Sequence, residues 1–164
     1  MISVWVLARW LHLLAAITWI GGMLFILLVL LPVVRPALKP DDRAVLVGRV
    51  GTRYGVISLV ALIILLVTGY FNGERRHVDW TDLTATTYGT RLLVKLVLVA
   101  LVVIITAVHT WYGRRIVALA ELPPDEKASV SDVRRRLQIV SGVLSAVNLV
   151  LNLAVVWIAA SLIA

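Results

Sequence analysis

Four long apolar runs limit what this chain can become. They cover about residues 3–34, 54–72, 90–114 and 137–163, with polar and charged stretches between them. A hydrocarbon core about 30 Å thick takes about 20 apolar residues in a helix. Inside it, every backbone N–H and C=O must find a partner within the chain, so each run is expected to be a helix. Composition agrees, with 61% of the residues hydrophobic, against about 45–50% apolar in soluble domains. The sequence therefore predicts an all-α integral membrane protein. Residues 1–164 are expected to form one domain, because no room is left for a soluble one. The first run is too long for a signal-peptide core and shows no small-x-small cleavage site, so it is expected to stay as a helix.

The basic residues predict the orientation. Arg35, Lys39, Arg43, Arg49 and Arg53 lie between the first two runs, and Arg114, Arg115, Lys127, Arg134, Arg135 and Arg136 between the last two. These make up most of the 16 Lys and Arg residues. The positive-inside rule then puts both termini and the 73–89 loop outside the cytoplasm, with the chain multi-pass in the plasma (inner) membrane. Trp5, Trp10, Tyr70, Trp80, Tyr88 and Trp157 are placed to mark the outer interface, and Tyr54, Trp111 and Tyr112 the inner one. Short connections make successive helices antiparallel neighbours, which predicts an up-down four-helix bundle. The net charge of +7 is explained by loops that set topology and meet anionic lipid, so lipid is the expected partner and nucleic acid is not.

Local signals refine the boundaries. Pro32 and Pro36 are expected to end the first helix, Asn72-Gly73 the second, and Gly113 lies near the end of the third. Asp41 is a candidate cap for a turn that runs into the second span, and Ser129 or Ser131 for the fourth. Gly21-Gly22 and Ala15-Ala16 suit close helix packing.

The stretch Trp10 to Met23 carries the chemistry. Arg9, His12, Ala16, Trp19 and Met23 recur at steps of three and four, on one helical stripe. An ionisable group in such a run is costly, which makes His12 the leading site candidate. Lys95, Val99, Val102, Thr106, His109 and Gly113 form a stripe on the third helix. Gln138, Ser141, Ser145, Asn148 and Asn152 form one on the fourth, and Ser58, Ala61, Leu65, Thr68 and Asn72 a weaker one on the second. Stripes of Ser, Thr and Asn also serve simply to join helices, at about 0.6 kcal/mol per hydrogen bond. Antiparallel order puts His12 and Lys95 at one depth in the outer half. His109 lies 14 residues beyond Lys95, roughly 21 Å toward the other face.

Two ligands suit His12. Haem iron takes histidine, and its porphyrin wants an apolar cleft. Arg9, Arg75, Arg76, Arg91 and Lys95 near the outer edge are candidates for its propionates. The second axial ligand would be His77 or Lys95. Copper takes imidazole and thioether. His12 and His77, with Asp79, Asp82 and Met1 at the same face, are its candidate donors. The chain has no cysteine and two methionines, which makes a soft-ligand copper path thin and disfavours iron–sulfur chemistry.

Leu11-His12-Leu-Leu-Ala-Ala-Ile-Thr-Trp19-Ile-Gly21-Gly22-Met-Leu-Phe25 resembles the first-helix motif of the copper-resistance protein D (CopD) family. Tyr88-Gly89-Thr-Arg-Leu-Leu-Val-Lys95-Leu resembles the start of a later helix in that family. The related HemJ haem-binding membrane proteins show a similar first helix and a Lys-Leu…His third helix, matched by Lys95-Leu96 and His109. The first resemblance implies copper handling and the second b haem, with Lys95 as a second ligand or propionate partner. Gly21-Gly22 favours the CopD side.

The leading expectation is a b-type haem near the outer face with a redox or electron-transfer role. His12, Lys95, Trp19, Arg9 and Arg91 would hold it. The alternatives are copper uptake or resistance through His12 and His77, and a ligand-free accessory subunit of a larger redox or transport complex.

Overall fold

A computed structural model describes residues 3–162. Met1 and Ile163, which the sequence places at an outer site and at the end of the fourth span, lie outside the described residues. Four long helices dominate: α1 Val4–Ala37, α2 Pro40–Arg75, α3 Thr87–Ala120 and α4 Ser131–Ser161. Each is long and apolar enough to cross a membrane. No strand occurs among the described residues. The all-α four-helix architecture is as expected.

The helices run further than the local signals suggest. Pro32 and Pro36 do not end α1, which continues to Ala37. Proline removes an N–H and crowds the carbonyl four residues back. The chain absorbs this with a wide π turn at Ile26–Leu30, where the Leu31 N–H reaches the Ile26 carbonyl. α1 stops where Leu38 turns extended, two residues before Pro40. Pro40 itself occupies the first turn of α2, where its missing N–H costs nothing.

α2 does not end at Gly73 either. Its end is set by His77, at a left-handed φ of 54°. The Val78 N–H returns to the Gly73 carbonyl at 3.2 Å and the His77 N–H to Glu74 at 3.0 Å. This is the Schellman pattern, with histidine where glycine is usual. Gly73 has another role: a Cβ there would collide with the Trp80 ring. Thr86 caps α3 through the Gly89 N–H at 2.9 Å. α3 continues beyond Gly113 to Ala120. At α4 neither Ser129 nor Ser131 caps; Val130 precedes the helix, and the Ser129 hydroxyl donates to the Glu126 carbonyl instead.

α1 packs closely on α2, and α3 on α4, with α2 and α3 joining the pairs. Ala15, Trp19, Ala61 and Val102 meet at the centre, with Leu151 of α4 against them. Gly22 lets α2 approach, since a Cβ there would strike the Tyr54 ring, whereas Gly21 faces open space. Leucine, isoleucine and valine cover the outside: Ile17, Leu28, Val56 and Val150 are each at least 64% exposed.

The described C-terminal end and the 76–86 connection share one end of the bundle, because Arg76 and Arg91 donate to the Leu162 and Ser161 carbonyls at 3.0 and 2.9 Å; His12, early in α1, meets Thr68, late in α2, which puts the start of α1 at that end too. At the opposite, basic end, Asp41 sits in the first turn of α2 rather than at its cap. Its carboxylate takes Lys127 at 2.8 Å and Arg134. The two contacts tie α2 to the turn Pro124–Lys127 and to α4. Asp41→Asn should lower stability by about 1 kcal/mol. That is below the usual 1.5–3 kcal/mol for charged hydrogen bonds, because the Asp41 side chain is 37% exposed. Thermal melting in detergent measures the loss.

Candidate functional site

His12 faces α2 from the inner stripe of α1. Its Nδ1 lies 2.8 Å from the Thr68 hydroxyl. Thr68 is buried, and its one hydroxyl proton goes to the Ile64 carbonyl at 2.5 Å. The hydroxyl oxygen is therefore left to accept, and Nδ1–H of His12 donates to it. That arrangement puts the ring lone pair on Nε2. Among the described residues Nε2 takes no hydrogen bond. Gly69 backs the ring, with its Cβ direction 3.5 Å from Cε1. Lys95, half-buried on α3, lies close enough to act on His12 electrostatically.

Trp19 is buried in the core and its indole N–H donates to Asn152 Oδ1 at 2.9 Å. Tyr54 donates to the Trp19 carbonyl. Asn152 Nδ2 donates back to the Asn148 carbonyl at 2.8 Å, and Asn148 Nδ2 to the Thr106 hydroxyl at 3.1 Å. Beyond these, Ser145 Oγ lies 2.8 Å from His109 Nε2. The fourth-helix stripe thus joins α4 to α1 and α3. Thr68 and Asn152 are the partners of His12 and Trp19, a pairing that no single stripe identifies. Each stood on a polar face, but only the packing shows which face it meets.

Arg9 is exposed, and Arg91 is occupied at the end of α4. His77 is exposed and lines a cavity of about 420 Å³ with Arg76, Asp79, Asp82, Thr86 and Tyr88. The carboxylates there are held by their own loop. The Thr81 hydroxyl and N–H donate to Asp79 at 2.6 and 2.9 Å, and Thr84 does the same for Asp82 at 2.6 and 3.0 Å. These bonds hold both carboxyls below the ordinary aspartate range, so they stay anionic to lower pH. Among the described residues no three His, Asp or Glu side chains gather closely enough to hold a metal ion. Met23 lies on α1 eleven residues from His12, roughly 16 Å along the axis. Among the described residues His12 therefore offers a metal an oriented imidazole outside any cluster of three such side chains.

Residues 48–162 match the family model for copper resistance protein D. The chain belongs to the CopD family. No curated protein and no solved structure shows a significant match to it. The CopD match takes in Thr68, Lys95, His109 and Asn152, and it begins after the stretch that holds His12 and Trp19. Family and fold together make this a multi-pass membrane protein with a copper-related function.

Proposed function

We propose that this CopD-family protein passes copper ions into or across the plasma membrane, as cargo, with His12 as the intramembrane donor. One observation carries the reading: Thr68, its own hydroxyl directed at the Ile64 carbonyl, lies against His12 Nδ1, an arrangement that suits a proton on Nδ1 and a lone pair on Nε2. Metal-bound histidines commonly donate their other ring N–H in this way. The positive charge of Lys95 weakens a cation bound beside it. Weak binding suits an ion that must leave again. His77, at the loop cavity, is proposed as a first contact on entry. The count of basic residues supports an outer position for that loop.

Haem has less support. Thr68 and Gly69 line the Nδ1 side of the His12 ring, so a porphyrin would have to reach it through Nε2, from the side facing away from α2. Arg91 would have to leave the α4 terminus to meet a propionate. Copper does not require that change.

The test loads the purified protein with copper(I) or with hemin and reads bound metal and the visible spectrum. Copper should bind, and His109→Ala should retain it. Lys95→Ala should tighten copper roughly tenfold by removing a like charge. Lysine acting as haem ligand or propionate partner would give the opposite sign. A Soret band formed with hemin and lost in His12→Ala would replace copper with haem. His77→Gly separates that residue's two roles: relieving a left-handed residue should stabilise the fold by about 0.5–1 kcal/mol, while copper entry slows.

A further inference from the structure

The polar groups inside the bundle gather at two levels along its axis. His12, Thr68 and Lys95 occupy the end that carries the described chain ends. Thr106, His109, Ser145 and Asn148 occupy the half nearer the basic end. Trp19 stands at the border, bonded to Asn152, which is itself bonded on to Asn148 of the second set. Trp19 is seven residues from His12, and Asn152 seven from Ser145, so each step is roughly 10 Å. Together they equal the roughly 21 Å that separates Lys95 from His109 on α3.

Apart from Asn152, the side chains packed around the indole at this level are apolar. Ala15, Ala61 and Val102 surround the indole, which is 9% exposed. An indole N–H donates and offers no in-plane lone pair, so it cannot hand a cation from one set to the other. Its bond to Asn152 is also the one side-chain hydrogen bond between α1 and α4 among the described residues. Backbone contact between these two helices is slight beside that within the α1–α2 and α3–α4 pairs. A seam between two firmly packed pairs is where small relative movement is cheapest.

We propose that Trp19 is the barrier of a copper(I) path between His12 and His109, latched shut by Asn152. The proposal rests on the copper reading for its cargo and on the core geometry for its barrier. Release of the indole from Asn152 opens the way between the two histidines, and His109 receives the ion.

Vesicles containing the full chain test it, with copper(I) kept reduced by ascorbate outside and a copper-sensitive dye within. Trp19→Ala should raise downhill copper entry at least tenfold. Asn152→Leu, which keeps the volume and removes the acceptor, should raise it less; it decides the matter if Trp19→Ala fails to fold. Equal rates in the wild type and the folded variants overturn the barrier. A pH dye in parallel vesicles separates this from failure of the copper reading. If no copper moves but protons leak through the variants and not the wild type, the barrier stands and its cargo is not copper. If neither ion moves faster through the variants, the barrier is overturned.

Discussion

His12→Ala is expected to abolish copper binding, and Thr68→Val to weaken it by about 10–100-fold. The first removes the one imidazole that the inner stripe presents at this depth, and among the described residues no cluster of three His, Asp or Glu side chains is there to replace it. The second leaves the imidazole in place. Valine matches threonine in shape but accepts nothing, so the Nδ1 proton loses its partner. The ring is then free to turn, and the proton to move to Nε2. Loss of such an outer partner typically costs about 10–100-fold in metal affinity. Competition against a copper(I) chelator measures both variants on one scale. Unchanged affinity in Thr68→Val would show that the threonine does not set the tautomer.

Trp19→Ala is expected to be the most destabilising single truncation in the core, at about 3 kcal/mol. Truncating a large buried aromatic costs about 3–5 kcal/mol in soluble proteins. The lower end applies here, because the separated helices in a bilayer meet lipid and not water, so little transfer energy is lost. What remains is the cavity among Ala15, Ala61 and Val102, and the Asn152 carbonyl left without its donor. Trp19→Phe keeps most of the ring and loses the N–H, so it should cost about 1 kcal/mol. Unfolding in mixed micelles by a graded denaturing detergent reports both. Similar losses for Phe and Ala would assign the stability to the hydrogen bond rather than to packing.

The apolar runs determined the helix count and the all-α class, because a bilayer leaves a long apolar segment no other way to satisfy its backbone. The His12 stripe and the stripe of serine and asparagine on the fourth helix were also legible, since a helix repeats every 3.6 residues whatever it packs against. Helix ends were not. Pro32 and Pro36 are strong breakers in water, yet a π turn carries α1 through them. His77, not Gly73, closes α2, because Gly73 is needed against the Trp80 ring. A stripe tells which face is polar but not which face it meets. Only the tertiary structure paired His12 with Thr68, put Trp19 onto Asn152, and turned Arg91 to the end of α4. Those pairings depend on the rotation and sliding of each helix against its neighbours. Contacts between residues as far apart as 19 and 152 set that rotation, and a local periodicity carries no record of it.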